Sequence, residues 1–110
     1  MTEIECRILI KRDGKSFLCP VKIGLIKEII KTGSLRSAAK ILNISYQHAW
    51  EIVEEINSAA PAPLIIKQRG GVNGGGAFIS DYGTGILKEY KSIETEISKI
   101  IKQINIEINL

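Results

Sequence analysis

The side chains best suited to specific polar contacts stand together in one short segment, Ser45-Tyr46-Gln47-His48-Ala49-Trp50. If this segment begins a helix, Ala49 falls on the face that packs inward. Tyr46, Gln47 and Trp50 then point away from the core, close to the N-terminal end of the helix. That is the end which a recognition helix presents to base edges in the major groove of DNA.

The chemistry of these side chains suits such a role. The amide of Gln47 can pair bidentately with adenine, while Tyr46 and Trp50 can contact phosphates or thymine methyl groups. Trp50 has a second interpretation of equal weight, because most tryptophans are highly buried in a core. We expect Ser45 and His48 at the same exposed end of the helix, and a lone histidine supports no catalytic interpretation.

Catalytic and metal-binding patterns do not emerge from this sequence. Cys6 and Cys19 are far apart, and together with His48 they would leave a zinc ion one ligand short. We expect both cysteines to be buried and reduced. The glycine-rich stretch 70–76 is not followed by Gly-Lys-Ser/Thr, and a strand rather than a helix comes next, so it is not a phosphate cradle. The sequence predicts no enzyme, no metal and no cofactor.

Two helix caps frame the segment that precedes these side chains. Ser34 and Ser45 each have the hydroxyl that an N-cap requires, and Asn43-Ile44 forms the bend between the two helices. The small pair Ala38-Ala39 allows the second helix to approach closely. The pattern over 34–57 therefore predicts a helix-turn-helix.

The flanking elements complete a known architecture. A strand and turn are predicted over 3–18, because apolar residues alternate from Ile4 to Ile10 and an Asp-Gly turn follows. A helix is predicted over 21–32, ended by Gly33, and a hairpin wing over 64–80. A long helix over 82–105 follows, with Asp81 as its expected cap. The predicted fold class is α+β, mainly α: a single winged helix-turn-helix domain over residues 1–110.

The distribution of charged residues along the sequence favours a polyanionic partner more strongly than the net charge does. The net charge is only +3, but stretches 29–50 and 56–80 contain basic residues and no acidic residue. An ordinary solvated face is the alternative for each residue taken singly. The residues expected to contact DNA, mainly at phosphates outside the recognition helix, are Ser34, Arg36, Ser37, Lys40, Ser45, Tyr46, Gln47, His48, Trp50, Lys67, Arg69 and Asn73.

The last helix carries an apolar heptad pattern, which favours pairing with a second copy of the chain. A helix that packs lengthwise on its own core is the alternative. The residues expected at a dimer interface, including two from the N-terminal strand, are Ile4, Ile8, Ile86, Tyr90, Ile93, Ile97, Ile100 and Ile104.

At these positions the chain resembles the DNA-binding domain of the ModE family of molybdate-responsive regulators, which is related to the winged helix of LysR-type regulators. The resemblance is carried by Gly33-Ser34-Leu35, Ala38-Ala39-Lys40, Ile44-Ser45-Tyr46, Ala49-Trp50, Asn57, Gly74-Gly75-Gly76-Ala77 and Tyr82-Gly83. It implies a homodimer, joined through the N-terminal strand and the last helix, on a palindromic operator. Two departures stand out: Gln47 replaces a residue that is commonly basic, and the sequence ends at Leu110 without molybdate-binding domains, so we expect no molybdate in this chain.

The sequence thus predicts a homodimeric regulator of transcription that binds double-stranded DNA. It contains neither a signal peptide nor an apolar run long enough to span a membrane, so a cytoplasmic location without membrane contact is expected. A winged-helix module that assembles proteins without binding DNA is the main alternative. A small enzyme or ligand sensor built on the glycine-rich stretch is a more distant one.

Overall fold

Four helices and two antiparallel hairpins make up the computed structural model, which describes residues 2–68 and 76–110. In chain order the elements are β1 (Ile10–Arg12), β2 (Lys15–Leu18), α1 (Pro20–Thr32), α2 (Leu35–Ile41), α3 (Tyr46–Ser58), β3 (Ile65–Gln68), β4 (Gly76–Ile79) and α4 (Asp81–Glu107). This order and these pairings confirm the predicted winged helix-turn-helix. In the described part of the chain, no helix is long and apolar enough to cross a membrane.

The first hairpin is shorter than predicted. Asp13 and Gly14 both have positive φ angles, +49° and +79°, as a type I′ turn requires, and β1 and β2 pair on either side of them. The strand predicted from residue 3 was wrong, because residues 2–9 form no regular secondary structure. Instead, the backbone of Ile4 pairs with a side chain: its N–H donates to Asn105 Oδ1 at 2.7 Å, and Asn105 Nδ2 donates to its carbonyl at 3.2 Å.

The alternation of apolar residues in this N-terminal segment is only partly reflected in burial. Ile4 and Ile8 are half-buried, whereas Cys6 is exposed, so the prediction of two buried cysteines was wrong. Cys19 is half-buried at the N-cap position of α1. The thiols are both free.

The helix-turn-helix has the local structure that its sequence predicts. Ser34 Oγ accepts a hydrogen bond from Ser37 N at 3.1 Å, and Ser45 Oγ accepts one from His48 N at 3.0 Å. Asn43 takes a left-handed conformation with φ +57°, and the N–H of Ile44 donates to the carbonyl of Ala39 five residues earlier. This pattern ends α2 with a Schellman motif and turns the chain directly into α3.

An aliphatic core joins the first three helices to the two hairpins. Its most deeply buried large side chains are Leu18, Leu25, Ile26, Ile29, Leu35, Ile56, Leu64 and Val53. One cation is buried beside this core: Lys22 Nζ donates to the carbonyl of Ser16 at 3.2 Å and lies 3.4 Å from Glu55 Oε2. The lysine therefore ties α1 to β2 and α3 while its charge stays partnered.

The last helix begins on the core and then leaves it. Ser80, not the predicted Asp81, is the N-cap: its Oγ accepts a hydrogen bond from Gly83 N at 3.0 Å. Asp81 occupies the first turn, where an acidic side chain interacts favourably with the helix dipole. The helix also continues to Glu107, past the predicted end at 105. Tyr90 is buried, and this burial, with smaller effects from Glu94 and Cys19, raises the pKa of its hydroxyl above the usual value.

The start of α4 packs against the wing so closely that only glycine fits at position 83. A Cβ atom on Gly83 would lie 2.6 Å from the carbonyl oxygen of Leu64 and 2.8 Å from Ile79 Cγ1. A Cβ atom on Gly85, two residues further along the same helix, would meet nothing within 4 Å.

We therefore expect Gly83→Ala to lower the free energy of unfolding by about 1–3 kcal/mol, since backbone must move to relieve the clash. The matched variant Gly85→Ala should leave stability unchanged or raise it by up to about 1 kcal/mol, because alanine favours the helix. Urea denaturation followed by circular dichroism measures both. Equal effects of the two substitutions would contradict the close packing of α4 on the wing.

Candidate nucleic-acid interface

The N-terminal half of α3 presents the predicted recognition side chains at the surface. Gln47 and His48 are exposed, while Tyr46 and Trp50 are half-buried against the edge of the core. Ala49, which is on the side of α3 that faces the core, is fully buried. The side chain of Trp50 therefore belongs neither wholly to the core nor wholly to solvent.

Two basic side chains lie over these aromatic rings. Arg36 Cζ, on α2, is 4.7 Å from the centroid of the Tyr46 ring. Lys67 Nζ, on β3, is 5.5 Å from the Tyr46 centroid and 3.9 Å from that of Trp50. These distances are within the range of cation–π attraction. We refer to Arg36, Tyr46, Trp50 and Lys67 as the cation–aromatic cluster; it joins side chains from α2, α3 and β3.

The register of the wing explains why Lys67 reaches α3. β3 and β4 pair with Lys67 opposite Ala77, and Ala77 is buried, so the lysine lies on the inner face of the hairpin. The wing is also held to the turn between α1 and α2, because Ala77 N donates to the carbonyl of Gly33 at 3.2 Å and Ser34 bridges to Gly76. The wing cation is thus directed toward the recognition helix.

Asn57, at the end of α3, anchors the wing from the other side. Its Oδ1 accepts hydrogen bonds from Leu64 N at 2.9 Å and Ile65 N at 3.1 Å, and its Nδ2 donates to the carbonyl of Ile65 at 2.9 Å. Asn57 is one of the residues that carry the resemblance to the ModE family. Its position in the sequence does not reveal that it holds the wing. The only local signal is an amide side chain at a helix end, shortly before two prolines.

The structure brings together four of the twelve side chains predicted to contact DNA, namely those of the cation–aromatic cluster. Ser37 and Lys40 are exposed on α2, and the hydroxyls of Ser34 and Ser45 serve as caps. Arg69 and Asn73 lie outside the described residues. His48 Nδ1 lies 3.7 Å from Glu51 Oε2, an exposed pair on the same helix.

The electrostatics of this surface favour a negatively charged partner. Within residues 2–68 and 76–110, Arg36, Lys40 and Lys67 form no ion pair with a carboxylate. Their charges are therefore not neutralised by the protein there. The same described ranges contain no cluster of three or more side chains suited to hold a metal ion.

Six of the eight predicted dimer residues lie on α4, and these six fall into two groups. Tyr90 is buried in the core of its own chain, and Ile86 packs against that core. Ile93, Ile100 and Ile104 are 40%, 58% and 39% exposed, and Ile97 is half-buried. An open groove of about 820 Å³ lies between this second half of α4, α1 and residues 6–8.

A helix-turn-helix followed by a two-stranded wing defines the chain as a winged helix-turn-helix protein, and its known relatives agree with that class. The "Molybdenum transport protein ModE" of Azotobacter vinelandii is 32% identical over 98% of this chain and 40% of its own length. The "Transcriptional regulator ModE" of Haemophilus influenzae is 36% identical over 86% of this chain and 37% of its own length. The "DNA-binding transcriptional dual regulator ModE" of Escherichia coli K12 is 34% identical over 80% of this chain and 34% of its own length.

The chain is thus a homologue of the ModE regulators, which confirms the resemblance seen in its sequence. It spans between 34% and 40% of the length of these three relatives. No family model matches the chain.

The anchoring role of Asn57 leads to a stability prediction. Asn57→Ala removes three hydrogen bonds and leaves part-buried backbone groups unpaired, so we expect the free energy of unfolding to fall by about 2–4 kcal/mol. Asn57→Asp keeps the two hydrogen bonds from Leu64 N and Ile65 N but turns a carboxylate oxygen toward the carbonyl of Ile65, so it should also lower stability. Ser58→Ala, at the neighbouring exposed position, is the control and should change stability by less than about 0.5 kcal/mol. Chemical denaturation checks all three, and a neutral Asn57→Ala would argue against the anchor.

Proposed function

We propose that this chain binds double-stranded DNA in a sequence-specific manner and regulates transcription as a homodimer. The observation that carries the proposal is the surface around the N-terminal end of α3. It combines an exposed amide, Gln47, with two cations of the cation–aromatic cluster that no carboxylate neutralises within the described residues. Basic side chains attract and position the phosphate backbone, while an amide can distinguish bases.

The two parts of this surface have separate roles. Arg36 on α2 and Lys67 on the wing contact phosphates beside the N-terminal end of the recognition helix. Lys40, exposed one turn after Arg36 on α2, adds a third contact. Gln47 reaches a base edge in the major groove, with His48 beside it. Arg69 and Asn73 are predicted from the sequence to add phosphate contacts, and they lie outside the described residues.

The relatives support regulation of transcription as the outcome of binding. Two of them carry the words "transcriptional regulator" or "DNA-binding transcriptional dual regulator" in their names. The molybdenum named for the Azotobacter vinelandii protein belongs to a chain of which only 40% aligns here. Because the relatives named as transcriptional regulators are covered to a similar extent, our proposal of DNA binding for these 110 residues rests on the helix-turn-helix and the wing. That no molybdate binds to them stays a prediction from the sequence.

The exposed apolar side chains in the second half of α4 support the proposal of a dimer. Three isoleucines on one side of this helix remain substantially exposed in the single chain: Ile93, Ile100 and Ile104. Burial of such a stripe against the same stripe of a second copy removes apolar surface from water. Two recognition helices related by a two-fold axis then match a palindromic operator.

DNA binding is tested with sequences selected from a random pool by the full chain. We expect a palindromic consensus, and affinity should fall with added salt in proportion to the number of phosphates contacted. Gln47→Ala should lose about 1–3 kcal/mol of discrimination against a changed base pair, while non-specific binding persists. Fluorescence anisotropy at several salt concentrations measures both.

Gln103→Ala is the matched control, because this amide lies near the end of α4, where it bonds to Glu107. Its DNA affinity should equal that of the unaltered chain. Absence of any DNA binding at moderate salt would overturn the proposal and favour a winged helix that assembles proteins.

The dimer is tested by placing a charge on the exposed stripe. Ile100→Glu should shift the equilibrium toward monomers and weaken operator binding, since a buried carboxylate without a partner opposes association. Ser92→Glu adds the same charge at an exposed position of the same helix, outside the apolar stripe, and should leave the dimer intact. Sedimentation velocity over a range of concentrations distinguishes them. A chain that stays monomeric before any substitution would contradict the dimer.

A further inference from the structure

The indole of Trp50 has a specific partner in the wing. Lys67 Nζ lies 3.9 Å from the centroid of its ring, the shortest of the cation–aromatic distances within the described residues. The same ammonium lies 5.5 Å from the ring of Tyr46, which also has Arg36 at 4.7 Å. One aromatic pair therefore attracts two cations from different elements.

This arrangement leaves little freedom for Trp50 to contact DNA bases directly. An ammonium at this distance covers one face of the indole, and the side chain is half-buried against the core. A base or a thymine methyl group would have to displace Lys67 to reach that face. The lysine, in contrast, keeps N–H donors that point away from the ring, because a cation–π contact is electrostatic and does not use all three of them.

We propose that Trp50 and Tyr46 are positioning residues for DNA binding: they hold Lys67 and Arg36 as a preformed pair of phosphate contacts beside the N-terminal end of the recognition helix. This inference rests on the proposed function and adds the mechanism by which its cations are oriented. A lysine side chain is flexible and loses conformational freedom when it binds a phosphate. Contact with the indole orders it before DNA arrives, so less freedom is lost on binding.

The wing register is the reason why this pairing is specific to Lys67. Its neighbours Ile66 and Gln68 lie on the outer, exposed face of the hairpin, so among the described residues of β3 Lys67 is the one cation on the inner face. Lys40 provides a natural comparison: it is exposed on α2, and no described aromatic ring lies within cation–π distance of it.

A double-mutant cycle on DNA affinity tests the proposal. Lys67→Met removes one phosphate contact and should weaken binding roughly tenfold near 0.1 M salt, with a salt slope smaller by about one. Trp50→Leu keeps every charge, yet it should produce much of the same loss because Lys67 is no longer held. The double variant should then be little weaker than Lys67→Met alone. Trp50→Phe and Lys67→Arg, which keep a ring and a cation, should restore most of the affinity.

Lys40→Met is the matched control, since it removes a charge that no ring holds. The loss of DNA affinity in Lys40→Met should simply add to the loss in Trp50→Leu, with no coupling free energy between the two substitutions. The emission of Trp50, the single tryptophan, reports on the contact without DNA: it should change in Lys67→Met and stay constant in Lys40→Met. Circular dichroism confirms that each variant is folded.

The outcomes separate this inference from the proposed function. If the unaltered chain binds DNA but the affinity losses of Trp50→Leu and Lys67→Met are additive in the double variant, the positioning role is wrong while DNA binding stands. If the unaltered chain binds no DNA, the proposed function fails and the positioning role fails with it, whatever the emission of Trp50 shows.

Discussion

The rest of the structure depends on the backbone hydrogen bonds of Leu64, at the corner where the chain enters β3. The N–H of this buried residue binds Asn57 at the end of α3, and its carbonyl accepts a hydrogen bond from Ser80 N at 2.8 Å, just before α4. Gly83 packs against the same carbonyl. Because a buried backbone group must have a partner, this single residue fixes how α3, the wing and α4 meet.

The geometry of the interface follows from that corner. Once β3 leaves it in a set register, alternate residues face α3, and Lys67 is one of them. A shift of one residue would send Lys67 to the outer face and leave Trp50 without its cation. The hydrogen bonds of Asn57 therefore help to determine where Lys67 lies, although Asn57 is at the opposite end of α3 from Gln47.

Most predictions with local causes succeeded, although the N-cap of α4 is Ser80 and not the predicted Asp81. The caps at Ser34 and Ser45, the bend at Asn43-Ile44 and the Asp13-Gly14 hairpin each depend on a few neighbouring residues. The strand predicted over residues 3–10 failed for the opposite reason. A strand needs a neighbouring strand for its backbone groups, and within residues 2–68 and 76–110 of this chain none pairs with residues 3–9; Ile4 pairs instead with Asn105, 101 residues away.

The sequence by itself determined the helix-turn-helix, the existence of a wing and the grouping of polar and aromatic side chains between Ser45 and Trp50, because periodicity and capping are short-range properties. It left open whether Trp50 belongs to the core or to the surface. Only the tertiary structure decided this, by leaving Trp50 half-buried against the core with Lys67 over its ring. That contact joins two elements through the register of a hairpin, and no pattern within either element specifies it.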